Sequence, residues 1–585
     1  MSYSDSFPSV SPVFQANFAA NGGKIDPRAS FSRASTASVW DGSKHLSSEN
    51  LATNSNNLSD WGLLDITRTL SQVGPDGSSN AAKLTGVVGT VFKAIYKTTL
   101  ANTSAQTISF FAKEDTHRYI QVSVNGDATK YVNFDLNGSG AYSANGAGVT
   151  ASITASGNGY LRCAVNLTLP STSAYISLQD SLSAAREATT ASTGSIYIFG
   201  AMATTLGDAT NVAAYVAAGS QIHREYAPTL VSKANNVGRF DHTTDGQSMG
   251  CLIEGQSTNL ATYGSDLTNA AWNPLSAFIG GTAVGPDGTL SAVKLVASAG
   301  SGLAPRFRRL SLLTDTTQTF SIYVKPLEFQ HLAISADGST ACMVLYNLSG
   351  SGAITSATGA TGAVEQCGNG WFRVSFSYTT TPSLHLAITM QSSTTYQTET
   401  GNGYDGMLFA LAQLETGQMS SFIGTTSSTV TRAAESLSVA TADIGYTGGP
   451  VSLFCDGTAQ GENTGGGQVL FAVRKDDANR IGVWTRRTNK RIALVSGGGV
   501  SSSLEESSWY DGKTALSLTT DNLSGSINGR TVLTDTSQPL PDLNGATVYV
   551  GNLDSGTAYQ MNGHVKRVAL YGEALSDTNL QALTS

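Results

Sequence analysis

The chain repeats itself. Asn50-Leu-Ala-Thr53, running on to Trp61, returns as Asn259-Leu-Ala-Thr262 running on to Trp272. Val73-Gly-Pro-Asp-Gly77 followed by Lys83-Leu84 answers Val284-Gly-Pro-Asp-Gly288 followed by Lys294-Leu295, 211 residues further on. Ile108-Ser-Phe-Phe-Ala-Lys113 answers Phe320-Ser-Ile-Tyr-Val-Lys325, and Gly157-Asn-Gly-Tyr-Leu-Arg162 answers Gly368-Asn-Gly-Trp-Phe-Arg373. Landmarks in one order at one spacing mark a tandem array of a single structural unit, which excludes one fused core.

The pattern inside each copy is that of strands. Tyr119-Ile-Gln-Val-Ser-Val124 and Tyr131-Val-Asn-Phe-Asp-Leu136 alternate with period two, as strands with one wet face do. Asn158-Gly159 accepts the positive φ of a type I′ hairpin turn. In Gly74-Pro75-Asp76-Gly77, Pro presets one torsion and Gly supplies a left-handed one. Gly 62 against Pro 14, with only 13% charged residues and 40% apolar ones, suits short strands joined by Gly, Asn, Asp and Ser turns. The expected class is all-β, built of tandem antiparallel β-sandwich modules. With 585 residues, about four compact units are expected.

The boundaries read as follows: a polar lead-in over 1–48, a first sandwich over 49–235, a linker over 236–258, a second sandwich over 259–435, and a different strand-rich module over 436–585. The lead-in is too short to bury a core, and reads either as a docking segment or as a frayed terminus. In the last module, Pro450–Cys455, Arg480–Trp484, Ile492–Val495, Ala515–Leu518 and Val548–Gly551 mark strands at sandwich rhythm. After Gly563–Tyr571 a short helix follows, with Ser576 or Asp577 as its cap.

Several classes are disfavoured. A formal charge of −8 argues against nucleic-acid binding, which needs a basic face. No stretch reaches the roughly 20 apolar residues of a membrane span, and MSYSDSFPSVSPVF carries no secretory signal. Cys163, Cys251, Cys342, Cys367 and Cys455 are odd in number and widely spaced, which fits reduced, buried thiols. No Glu-x-Asp-x-Glu run supplies the carboxylates of a sandwich glucanase. No His pair at i and i+4, Gly-x-Ser-x-Gly elbow or phosphate loop is present, so neither a catalytic nor a metal site is assigned.

Aromatic rings and hydroxyls are plentiful, and these are the groups that hold sugars. Trp61 and Trp272 occupy matched positions and Trp371 matches Tyr160, which points to core. Trp484 differs, because it precedes Thr485-Arg-Arg-Thr-Asn-Lys-Arg491, a basic loop on an acidic chain. Trp484, Arg486, Arg487, Lys490 and Arg491 are therefore the candidate carbohydrate-binding residues. The same loop reads equally as a solvated turn or a contact for a neighbouring subunit.

The set formed by RFDH, CLIEGQSTNL, GPDG, GNGWFR, AQLETGQ and SSFIGTTSSTVTRAAE resembles a family of tailed-bacteriophage and prophage fibre or spike proteins, over roughly residues 28–435. The resemblance implies concanavalin A-like, jelly-roll modules, and the ending resembles laminin-G-like lectin domains. In the first module SRASTASVWDGSKHLSSENLATNS departs from the fuller spelling. The resemblance further implies a virion location, a homotrimer, contacts to other virion proteins through the lead-in, and adhesion to host surface glycan without catalysis. A structural connector, and a capsule-degrading glycosidase or lyase, are the alternatives. No cofactor is expected, although lectin-like sandwiches often hold a structural calcium.

Overall fold

The computed structural model describes residues 10–585 except 20–23, 99–104, 125–126, 169–172, 206–208, 210–211, 214, 219–221, 301–303, 311–316, 337–338, 380–384, 461–466, 487–489, 498–499, 507–510 and 555–558. The architecture is all-β, in several antiparallel sheets. Among the described residues no helix is long and apolar enough to cross a membrane. The α-helix Asp577–Thr584 is capped by Ser576, whose hydroxyl accepts from the Asn579 amide. All five cysteines are buried, and none is joined in a disulfide.

Residues 44–227 and 261–412 form one compact unit, and 1–43, 228–260 and 413–585 form another. The first unit holds two sandwiches of identical strand order. In the first sandwich, one sheet runs Ala141–Asn145, Tyr131–Asp135, Tyr119–Val124, Ala174–Gln179, Ala94–Lys97, Gly62–Leu64. The second sandwich answers with Ala353–Thr358, Met343–Asn347, His331–Ala336, His385–Gln391, Arg306–Leu310, Trp272–Leu275. The facing sheet runs Thr150–Ala155, Leu161–Thr168, Ala105–Glu114, Ser195–Thr204, Ala81–Gly86, Ile66–Gln72. Its counterpart runs Thr361–Gln366, Phe372–Tyr378, Gln318–Pro326, Gly406–Thr416, Ala292–Ala297, Ala277–Ala283. The repeat is thus a repeat of topology.

Local chemistry accounts for the turns. Asn158 and Gly159 sit at φ 54° and 75°, and Asn369 and Gly370 at 46° and 72°, so each Asn-Gly pair turns a hairpin with both torsions positive. Gly77 and Gly288 take φ 77° and 75°, and their amides donate back to Gly74 and Gly285. The inward faces fill the cores. Ile108, Phe110, Val122, Phe134 and Ile196 pack in the first sandwich, while Trp272, Phe307, Phe320 and Phe409 interlock in the second. Each such side chain stabilises by about 1.5–3 kcal/mol.

The other unit corrects the expected boundaries. Its sandwich is completed by strands from outside 436–585. Phe14–Asn17 pairs with Arg567–Leu570, and Cys251–Ile253 with Gly563–Val565, so two short strands share one side of Gly563–Tyr571. Ser30–Ser32 joins the opposite sheet beside Ser436–Ala440. The stretch 236–258 is therefore a hairpin, Arg239–His242 with Ser248–Ile253, rather than a linker. The lead-in likewise contributes core, through Phe14 and Phe18. A sheet edge left open exposes unpaired amides and carbonyls, and these strands cover it. A fragment limited to 436–585 would lack them.

Residues of the RFDH, LIEG and TRAAE runs meet in this unit as a buried charge cluster. Glu435 accepts from Arg33 at 2.7 Å and from Arg239 at 2.7 and 2.6 Å, and also from the Glu254 amide at 3.0 Å. Arg239 reaches Glu254 at 2.6 Å, and Arg432 lies 3.5 Å from the same carboxylate. Ser421 donates to Glu254 through both its amide and its hydroxyl. Burial opposes ionisation of Glu254, but Arg432, Arg239 and Ser421 together hold its carboxyl far below the usual range.

Candidate functional site

Of the sequence-derived sugar contacts, Trp484 is the one whose side chain the structure describes, and it is buried. Trp484 is only 6% exposed, its ring edge-on to Tyr559 at 4.8 Å and packed with Val469, Ala472 and Leu553. Arg480 stacks over it at 5.6 Å. A ring held this way is core, so Trp484 offers no face to a sugar. Strand Asn479–Arg486 pairs with Lys490–Gly497, which puts Arg486 opposite Lys490 and Thr485 opposite Arg491 in register. Arg487 lies outside the described residues. Alternation explains the misreading: Ile481 and Val483 face the sandwich interior, and the opposite face, carrying Trp484, is itself covered.

A second candidate lies elsewhere, between the two repeated sandwiches inside their common unit. It is a half-open cleft of about 790 Å³. Its first side is the outer face of Thr150–Ala155, Leu161–Thr168 and Ala105–Glu114, carrying Phe111, Ser152, Thr154 and Arg162. Its second side comes from Ala277–Ala283 and Ala292–Ala297, with Phe278, Thr282 and Lys294. Tyr142, a residue 45% exposed, also lines it. Val212 and Thr282 tie the sides together, since the Thr282 amide donates to the Val212 carbonyl at 3.0 Å.

Four rings fix the junction. Phe111, Phe199, Tyr215 and Tyr404 lie with neighbouring centroids 5.6–5.9 Å apart, Tyr404 coming from the second sandwich. Tilted and edge-on pairs of this kind contribute about 0.5–1.5 kcal/mol each beyond area burial. The Tyr215 hydroxyl donates to Asn56 at 2.5 Å and meets Ser55 at 2.8 Å. Burial raises the Tyr215 and Tyr404 hydroxyls above their ordinary pKa, so both are protonated donors at neutral pH.

The hairpin Gly157-Asn158-Gly159 meets the second sandwich at its backbone. A Cβ on Gly157 would fall 2.4 Å from the Pro75 carbonyl oxygen and 2.6 Å from that of Asn402. Gly157→Ala is expected to push this contact apart and destabilise the unit by about 1–3 kcal/mol. Thermal unfolding followed by tryptophan fluorescence measures this, and an unchanged transition would show the contact to be slack.

Arg162 is 5% exposed on the cleft floor. Its guanidinium sits 5.4 Å over the Phe111 ring and donates to Ser109 Oγ at 3.2 Å, the Ala213 carbonyl at 2.5 Å and the Gly280 carbonyl at 3.4 Å. Desolvation lowers its pKa to about 10, leaving it charged at neutral pH. Lys294 is paired with Glu328 at 3.0 Å and lies 4.5 Å over the Tyr404 ring. Among the described residues Asp266 is the one carboxylate on the lining, and it accepts from the Thr268 amide and hydroxyl at 3.0 and 2.5 Å. Among the described residues no group of three or more His, Cys, Asp or Glu is positioned to hold a metal ion.

No protein-family model matches the chain, and no curated protein matches it. Solved structures with a similar architecture include the CBM40 module of Ruminococcus gnavus IT-sialidase bound to alpha2,3 sialyllactose, 17% identical, covering 25% of this chain and 87% of that one, TM-score 0.22. The CBM22-1–CBM22-2 tandem domain of Paenibacillus barcinonensis Xyn10C is 10% identical, covering 64% and 99%, TM-score 0.17. Domains LG4-5 of the mouse laminin alpha1 chain are 9% identical, covering 47% and 92%, TM-score 0.17. The likeness is one of β-sandwich architecture.

Proposed function

We propose that the chain is a non-catalytic virion fibre or spike protein of the bacteriophage type, which adheres to host surface polysaccharide through the cleft between its repeated sandwiches. The observation that carries this reading is the cleft's lining. An exposed ring, Tyr142, stands beside hydroxyls of Ser152, Thr154, Ser156 and Thr268, the combination that stacks on sugar C–H faces and takes up sugar hydroxyls. The virion assignment rests on the ordered motifs from RFDH to TRAAE. The non-catalytic reading rests on the sequence, which carries no Glu-x-Asp-x-Glu run of the kind that supplies a sandwich glucanase with its carboxylates. As a homotrimer the protein would present several weak sites at once, and avidity would multiply their strength.

A glycan array probed with the full chain tests this. Binding to at least one surface polysaccharide is expected, weakened about tenfold by Tyr142→Ala, the loss of one stacking partner. Reducing-end assays on the bound polymer should show no cleavage. An array with no bound glycan would favour the connector alternative, and sugar release would make the protein an enzyme.

A further inference from the structure

Resting on that reading of the cleft, we infer that its saccharide carries a carboxylate, with the Arg162 guanidinium as the counter-ion. Among the described residues the acceptors of Arg162 are the neutral Ser109 hydroxyl and the Ala213 and Gly280 carbonyls, its Nε has no acceptor, and no carboxylate lies within ion-pair distance of it. A buried cation without a counter-ion is costly, and the folded chain bears that cost unless a ligand relieves it. The 3.4 Å bond to Gly280 is the longest of the set, so Nη1 is the donor readiest to change partner. A guanidinium fork matches a planar carboxylate, which a sugar hydroxyl does not.

The cleft's other charges agree. Lys294 adds a second cation on the opposite side, already paired with Glu328. Asp266 is held by Thr268.

The repeat supplies an internal control. Arg373, the counterpart of Arg162, sits 5.5 Å over Tyr323 and donates to Ser321 Oγ at 3.1 Å, as Arg162 does over Phe111 and to Ser109. The stacked posture is therefore common to both sandwiches. What distinguishes Arg162 is that the cleft opens over it, whereas Arg373 is not on the lining.

Affinity electrophoresis of the full chain through gels holding polygalacturonate, alginate or colominic acid, each run beside its carboxyl-reduced form, tests the inference. At least one native polymer should retard the protein, with carboxyl reduction weakening binding about tenfold, the scale of one charge-assisted contact. Added NaCl should weaken the native interaction more than the reduced one. Arg162→Met should erase the preference, and Arg373→Met should keep it, which separates loss of the contact from general loosening. The native-against-reduced comparison needs no variant, so it stands even if Arg162→Met fails to fold. Equal affinity for native and reduced polymers, or array binding confined to neutral glycans, overturns the inference while leaving saccharide binding intact. No binding to any polymer or array glycan removes both.

Discussion

Replacing Glu435 with glutamine is expected to destabilise the unit formed by 1–43, 228–260 and 413–585 by about 3–5 kcal/mol, the cost of breaking a buried pair and leaving its partners uncompensated. Glu435 accepts from Arg33, from Arg239 twice, and from the Glu254 amide. An amide in its place turns one acceptor into a donor facing donors. The side chains of Arg33, Arg239 and Glu435 are wholly buried, so water cannot compensate. Guanidinium unfolding should show one transition moved to lower denaturant and the other unmoved, because the repeated sandwiches fold around separate cores. A shift below about 1 kcal/mol would mean that the cluster sets geometry without adding stability.

The same cluster sets the acid response. The folded pKa of Glu254 is depressed, so its stabilisation is complete above the unfolded carboxylate value near 4.3 and declines as pH falls below that. The expected result is a transition that loses stability only below about pH 4.3 in the wild type. In Glu254→Gln that acid-dependent part should be missing.

Trp61→Ala and Trp272→Ala form the second strong expectation. Each ring is almost fully buried, and each Nε1 donates to a carbonyl, Thr53 at 3.3 Å and Tyr263 at 2.8 Å. Each substitution should cost about 3–5 kcal/mol through the lost contact and the cavity left behind. The residues occupy different sandwiches, so the double variant should add the two losses to within about 0.5 kcal/mol. Chemical denaturation measures all three. A neutral result for either would mean that the two copies keep the sequence without keeping the role.

The repeat, the strands and the turns were legible because their causes are local. Asn158-Gly159 turns a hairpin wherever it occurs, and alternation at Tyr119–Val124 reports which face is wet. The edges of the last sandwich were not legible, because their causes lie far apart in sequence. Nothing within 236–258 states that Cys251–Ile253 will pair with Gly563–Val565, and nothing at Arg33 names Glu435 as its partner. Trp484 misled because charged neighbours suggested a surface, whereas Tyr559 covers the ring.

The cleft did leave a trace. Phe110 and Phe111 are adjacent on one strand and therefore point to opposite faces, which says that both faces of that sheet are covered. What covers the second face, Phe199 and Tyr215 of the same module together with Tyr404 of the second sandwich, could not be read from the pair.

The pairing of Phe14–Asn17 with Arg567–Leu570 bears on biosynthesis. At about 5–20 residues per second, a ribosome needs roughly half a minute to two minutes to go from one partner strand to the other. During that interval the repeated sandwiches can already close, while the early strands wait for theirs. A nascent chain released before the last strand would leave its beginning unmatched, which gives the cell's proteases a simple means of removing incomplete copies.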